Sequence, residues 1–360
     1  MRKTITNMRK LITLFFATTI LAACSGDGKK MSMLLPASSG LPYEVLVVCD
    51  EGLWNAPAGR ALYDILDTDV PALPQSERSF RISQTAPTAF SRLLKSFRNV
   101  IEVKIDKTQY TQTKFKFTED KYAQPQMIMT IQSPDAKAFE EYVSKNAQVI
   151  IDFFTSAEMN RELRDLKENH NEQFMDSARS KFGCEMLISK NIRGIKSGKD
   201  FLWASDISNH NSSIQNYVIY SYPYTSVDNF SRENFLQKRD SIMKVNIPGN
   251  RPDRYMATDT MFVDLYDTEY RQRYMQVAKG LWQMENDMMG GPFVSHQVVD
   301  EKNGRVIVAE TFIYAPNKKK GDLIRKLEAA LFSLKLPADK DIENSYHIPE
   351  IIIENNENNQ

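Results

Sequence analysis

From Tyr43 onward, apolar and polar positions alternate between short strand-like runs and helix-like stripes. Tyr43 to Cys49 is apolar at every position except Glu44, so both faces of an extended segment are covered, as in a central, buried strand. Gly59 to Asp67 predicts a helix, which Pro71-Ala72-Leu73-Pro74-Gln75 breaks. A strand at Phe80 to Ser83, a helix at Thr88 to Phe97 with Ala89, Leu93 and Leu94 on one side, and a strand at Val100 to Ile105 follow. This order predicts a mixed sheet covered by helices. Lys114 to Thr118 alternates polar and apolar, and Met127 to Ile131 is its apolar partner in a meander.

Pro134 to about Phe182 reads as helical throughout. One apolar stripe runs through Phe139, Val143, Ile150 and Phe154, and a second through Met159, Leu163, Leu166 and Phe174. Thr155-Ser156-Ala157-Glu158 resembles a capping box between them, so two helices or one bent helix are expected. Gly183 ends the segment. A second α+β unit then begins, with strands at Cys184 to Ser189, Asp200 to Asp206 and Gln215 to Tyr222, and a helix at Asn229 to Met243. Strands follow at Met261 to Tyr266, Tyr274 to Trp282, Phe293 to Val299 and Val306 to Tyr314, the last two joined through Asn303-Gly304, a pair that type I′ turns prefer. Asp322 to Leu334 closes the unit as an amphipathic helix, and Glu354 to Gln360 is polar enough to be disordered. The expected class is α+β: mixed or antiparallel sheets covered by helices, in two halves joined by a long helical segment.

The N-terminus changes the picture. Arg2, Lys3, Arg9 and Lys10 precede an apolar run from Leu11 to Leu21 that is too short to span a bilayer, and Leu21-Ala22-Ala23-Cys24 follows. That layout resembles the signal and lipobox of bacterial lipoproteins, which implies acylation of Cys24. The division expected is a signal over 1–23, a flexible tether over 24–41, halves over 42–182 and 183–337, and a polar tail over 338–360. Ser25 after the acylated residue implies sorting to the outer membrane, lipid-anchored and facing the periplasm. Without its four basic signal residues the chain carries 46 − 4 = 42 basic against 46 acidic residues, so no basic surplus argues for nucleic acid. Cys49 and Cys184 remain and could pair in an oxidising compartment, but Cys49 inside an apolar strand reads rather as a buried free thiol.

Gly40-Leu41-Pro42-Tyr43-Glu44-Val45-Leu46-Val47-Val48, the Leu73-Pro74-Gln75 turn followed by Phe80, and Phe97-Arg98-Asn99-Val100-Ile101 resemble a Bacteroidetes-type lipoprotein family whose single domain has no assigned function. The resemblance implies an envelope lipoprotein and transfers no catalytic residue. Nucleophile-elbow, dinucleotide, phosphate-loop, Cys-x-x-Cys and His-Glu-x-x-His motifs are absent, and no cofactor or metal is called for.

Three constellations remain. With Asn303-Gly304 as a two-residue turn, Glu310 falls opposite Gln297 and beside Val306, Val308 and Phe312, as a general acid or as a hydrogen-bonded edge residue. Asp50 and Glu51, close to Trp54, lie just past the end of the buried strand, where ligands bind if the sheet is parallel. Tyr220, Tyr222 and Tyr224 share one strand face, with Trp203 on a neighbouring strand; they form either a platform for sugar rings or a protein, or an aromatic core. Pro223 favours an edge or a strand end. The function expected is a periplasm-facing binding or envelope-maintenance module, with a glycan or an envelope protein as partner and a cofactor-free hydrolase as the remaining alternative.

Overall fold

A computed structural model describes residues 35–206 and 213–341. The signal, Cys24 and the tether up to residue 34 lie outside the described residues, as do 342–360. Seven α-helices and two sheets, of five and seven strands, make up the described chain. The first sheet has the order β2-β1-β3-β5-β4, with β1 Glu44–Val48, β2 Arg81–Thr85, β3 Asn99–Ile105, β4 Lys114–Glu119 and β5 Met127–Ser133. β1 runs parallel to β2 and β3, β3 parallel to β5, and only β4 is antiparallel. On one face Val45, Val47, Ile101, Val103, Met129 and Ile131 pack beneath α2 (Pro57–Leu66), α3 (Ala136–Lys145) and the start of α4 (Ala147–Glu168). A short helix, α1 (Glu51–Asn55), precedes α2.

The other face carries a smaller cluster of Leu46, Val48, Val100 and Ile128, under Phe90, Leu94, Phe97 and Tyr122. The helix expected at Thr88 to Phe97 is absent here; two 3-10 turns, Pro87–Ala89 and Leu94–Ser96, replace it. Its backbone is claimed by distant partners: the Gln126 amide donates to the carbonyls of Lys95 and Phe97, and the Ser39 amide donates to that of Ser96. Those bonds satisfy carbonyls that a helix would have to pair four residues on.

The helical segment is three helices, with breaks at Asn146 and at Asn169–Asn171. Thr155 to Glu158 does not interrupt α4. Glu158 points inward, accepting from Asn99 at 2.7 Å and from Arg161 at 2.8 Å, while Arg98 lies 3.0 Å away, so its carboxylate organises the core side of the helix. Burial lowers the pKa of Arg161 to about 10. α5 (Glu172–Phe182) is capped by the Asn171 side chain and closed by Gly183 at φ 63°.

The second sheet is antiparallel throughout, in the order β6-β7-β8-β12-β11-β10-β9. Its strands are β6 Gly194–Gly198, β7 Phe201–Ser205, β8 Ile214–Pro223, β9 Met256–Tyr270, β10 Arg273–Met284, β11 Gly290–Asp300 and β12 Arg305–Tyr314. Cys184 to Ser189, expected as a strand, makes only isolated bridges at Glu185 and Ser189. One sheet face, with Ile219, Val277, Val294 and Ile307, packs under α5 and α7 (Gly321–Leu331). The opposite face, with Val218, Tyr220, Phe293, Val308 and Phe312, packs under α6 (Arg232–Asn246).

Residues from Ala37 onward belong to one compact unit, and the two halves meet within it at α7. Glu77 of the first half accepts from the amides of Lys320 at 2.7 Å and Gly321 at 2.9 Å, which caps α7 from outside. Arg81 pairs with Asp322, and the Arg325 guanidinium lies 3.5 Å from the centre of the Tyr43 ring. The tail expected from residue 338 begins as a turn, Pro337–Asp341, whose buried Asp339 pairs with Arg273.

Candidate functional site

The tyrosine row is not an open platform. β8 lies between β7 and β12, so it is a central strand, and Pro223 is its last residue. Tyr220 is 1% exposed and Tyr222 7% exposed, because α6 covers that face. Burial raises the hydroxyl of Tyr220 well above its ordinary value and that of Tyr222 to about 12. Trp203 packs at the margin of the same cluster and donates to Asn216 at 3.0 Å. Tyr224, one residue past the strand, is half-buried at the edge of that cluster.

Glu310 is fully buried and sits opposite Ser295, not Gln297. The register differs because Asn303-Gly304 is not a two-residue turn: Glu301–Asn303 forms a 3-10 turn, Gly304 follows at φ 58°, and Asp300 pairs with Arg305. Arg239 of α6 meets the carboxylate with two nitrogens, at 2.7 Å and 3.1 Å, and Ser295 donates at 2.5 Å. The same guanidinium lies 3.9 Å from the centre of the Phe293 ring and donates to Thr258 at 2.7 Å. A carboxylate held this way, out of solvent and away from any cavity opening, is a structural ion pair.

Asp50 and Glu51 do follow a parallel strand. Asp50, however, caps α1 by accepting from the Gly52 amide at 2.8 Å, and Glu51 lies in that helix's first turn, where carboxylates favour the helix dipole. Both are exposed and line none of the cavities described below. Cys49 and Cys184 are free and buried, and burial raises their thiols to about 11 and about 12. Among the described residues, no group of three or more His, Cys, Asp or Glu side chains is placed to hold a metal, and no helix is long and apolar enough to cross a membrane.

The residues that do converge come from the segment after β8, from the β9–β10 hairpin and from the β11–β12 turn. An open cleft of about 890 Å³ is walled by Tyr224, Phe230 and Tyr274. Tyr224 and Phe230 ring centres are 6.4 Å apart, and Phe230 meets Tyr274 edge-on at 4.8 Å. Tyr274 is 42% exposed, so a large aromatic surface faces solvent. The polar floor is fixed by a chain of side-chain bonds. Tyr222 donates to Gln297 at 3.0 Å, Gln297 donates to Gln276 at 2.9 Å, and Gln276 donates to Asp267 at 3.1 Å. The Tyr274 hydroxyl also donates to Asp267, at 2.7 Å. Burial, and then the bond to Asp267, push the Tyr274 pKa far up, so the hydroxyl stays protonated. Asp228, Asp267 and Glu301 line the cleft against one cation, Arg273, which is itself paired with Asp339. This surface repels anions and offers acceptors and ring faces to a neutral, hydroxylated ligand.

A second cavity, of about 380 Å³, lies between the halves, lined by α4, α7, β9, β10 and the 70–79 loop. Its Lys279 is 2.8 Å from Glu328. Burial acts to lower the Lys279 pKa, but Glu328 and Tyr266 more than offset this and it ends raised, so the amine stays charged and is no nucleophile.

Comparison with known proteins divides the chain as the helices do. Residues 38–167 match a family model described as a domain of unknown function (DUF8532), and residues 171–333 match another so described (DUF4837). Neither description names an activity. No curated protein matches the chain. Among solved structures, a point mutant of protein Mog1 aligns at 6% identity over 42% of this chain and 90% of that one, with a TM-score of 0.26. The human StarD13 (DLC2) lipid transfer and protein localization domain aligns at 9% identity over 45% of this chain and 97% of that one, with a TM-score of 0.14.

Proposed function

We propose that the chain is a lipid-anchored binding protein of the bacterial envelope, and that its ligand is a neutral glycan held in the cleft of Tyr224, Phe230 and Tyr274. The single observation that supports binding is that cleft: three aromatic rings partly open to solvent over a floor already fixed by the Gln297–Gln276–Asp267 chain. A floor ordered before the ligand arrives lowers the entropy cost of association. The three lining carboxylates and the neutral Tyr274 hydroxyl favour sugar hydroxyls over phosphates or carboxylates. The anchor rests on Leu21-Ala22-Ala23-Cys24 and on the resemblance to Bacteroidetes-type lipoproteins, and Ser25 supports outer-membrane placement facing the periplasm. Catalysis finds no support at Glu310, whose carboxylate is committed to Arg239.

A glycan array probed with the full chain tests the ligand class. Neutral oligosaccharides should be retained and phosphorylated or uronic-acid glycans should not. Retention governed by acidic sugars would sink the reading.

A further inference from the structure

The open face of the first sheet carries a charge that the whole chain does not. In register across β3, β5 and β4, Lys104, Gln132 and Lys114 form one row, and Glu102, Thr130 and Lys116 the next. The β2–β3 connection covers the β1 side of this face and leaves the β4 side open. Lys114 and Lys116 are exposed, Lys104 is 49% exposed, and Lys121 borders them at 42%. Arg92 and Lys95 extend the field along the covering connection, beside Leu93, an apolar side chain 77% exposed. Lys104, Lys114, Lys116 and Lys121 thus face one way, and Lys95 joins Lys121 at the Tyr122 ring. The acid among them, Glu102, is shared between Lys104 at 3.5 Å and Lys121 at 3.8 Å. The formal charge of the full chain, by contrast, is zero.

The chain enters the fold at this same face. Ala37 bridges Gln124, and Ser39 bridges Phe97 and hydrogen-bonds Ser96 at 2.8 Å, so the first residues of the unit are stitched to the edge of the basic surface. Cys24 precedes Ala37 by 37 − 24 = 13 residues, a reach of at most roughly 45 Å when fully extended.

We propose that this face docks on the anionic headgroups of the bilayer that holds the anchor, with Lys104, Lys114 and Lys116 at its centre and Leu93 at its rim. The proposal rests on the lipid-anchor reading and deepens it: the acyl group supplies attachment and the lysines set orientation. With the basic face toward the lipid, the domain lies against the membrane instead of swinging on its tether. Each lysine close to an anionic surface strengthens partition by about fivefold, within a Debye length and in a salt-dependent way.

The test uses the chain from Ser25 onward, which keeps the whole compact unit and lacks both the acylated cysteine and the basic signal, sedimented with vesicles of phosphatidylcholine and of an equal mixture with phosphatidylglycerol. With Arg2, Lys3, Arg9 and Lys10 removed, the difference between the two vesicle types reports the folded domain. Binding should favour the anionic vesicles by roughly tenfold or more and lose that preference in high salt. Lys104→Glu, Lys114→Glu and Lys116→Glu together should abolish the preference with an unchanged thermal melt; Lys114→Ala with Lys116→Ala should reduce it if the triple variant folds poorly. Equal partition onto the two vesicle types, or a preference that survives both variants, overturns the proposal, as does capture by immobilised polyglutamate without any vesicle preference. Failure here leaves the anchor reading standing. Absence of an acyl mass on wild-type Cys24 would remove the anchor and leave the vesicle result in place.

Discussion

Two buried polar sites, the Arg239–Glu310 pair and His296, show opposite logic. Arg239 and Glu310 are both fully buried, yet each is saturated by the other, by Thr258 and by Ser295. Glu310→Gln leaves Arg239 with its remaining carboxylate, Asp240, at 3.9 Å, and should cost about 3–5 kcal/mol in denaturant unfolding. A double replacement of Arg239 and Glu310 by apolar residues of similar volume should recover much of that loss. His296 is buried with no hydrogen-bond partner on either ring nitrogen, its ring 4.6 Å from that of Phe332. Burial, aided by Lys279, lowers its pKa to about 3. The unfolded chain, with an ordinary His near 6.5, therefore binds more protons than the folded one between about pH 6.5 and pH 3, and stability falls on acidification through that window. At pH 5 the loss is about 2 kcal/mol. Melts of wild type and His296→Leu from pH 7 to pH 4 should converge if this residue carries no such load, and should diverge in favour of the variant at low pH if it does.

Most elements were legible because their apolar spacing has one reading. The doubly apolar run from Tyr43 to Val48 could only be a covered strand, and it lies between two parallel neighbours. Turn chemistry was the weak point. Asn303-Gly304 has the residues of a two-residue hairpin and forms a longer loop, which moved Glu310 to a different partner. The real two-residue turn is Arg271-Gln272, both at positive φ, between β9 and β10. Nothing in an Arg-Gln pair signals that conformation. With it unseen, the pairing of Gln276 with Asp267 that builds the cleft floor was invisible, although both positions were in plain view. The capping of α7 was equally hidden, since Glu77 lies more than two hundred residues upstream of Lys320. Glu77→Ala should cost about 1 kcal/mol, read as a lowered melting midpoint of a single transition. An unchanged midpoint would mean that water caps that helix as well as the carboxylate does.

At the scale of the whole molecule, two sheets of different topology meet through the contact of α4 with α7, and two surfaces are left open: an aromatic cleft on the second half and a lysine face on the first. The tyrosine strand is legible in sequence because its alternation is local, whereas the cleft joins Tyr224, Phe230 and Tyr274 from three separate segments. Tyr224 is half-buried, one residue past the strand end at Pro223, whereas Tyr220 and Tyr222 lie beneath α6. If the cleft is the binding surface, Tyr274 is its most replaceable wall, being 42% exposed and outside the core clusters. The deciding measurement is calorimetric titration of the strongest neutral glycan from the array into wild type and Tyr274→Ala. Weakening of roughly tenfold or more, typical of a lost aromatic anchor, with an unchanged melting midpoint, is the expected result; equal affinity in the two proteins would contradict the assignment of the cleft.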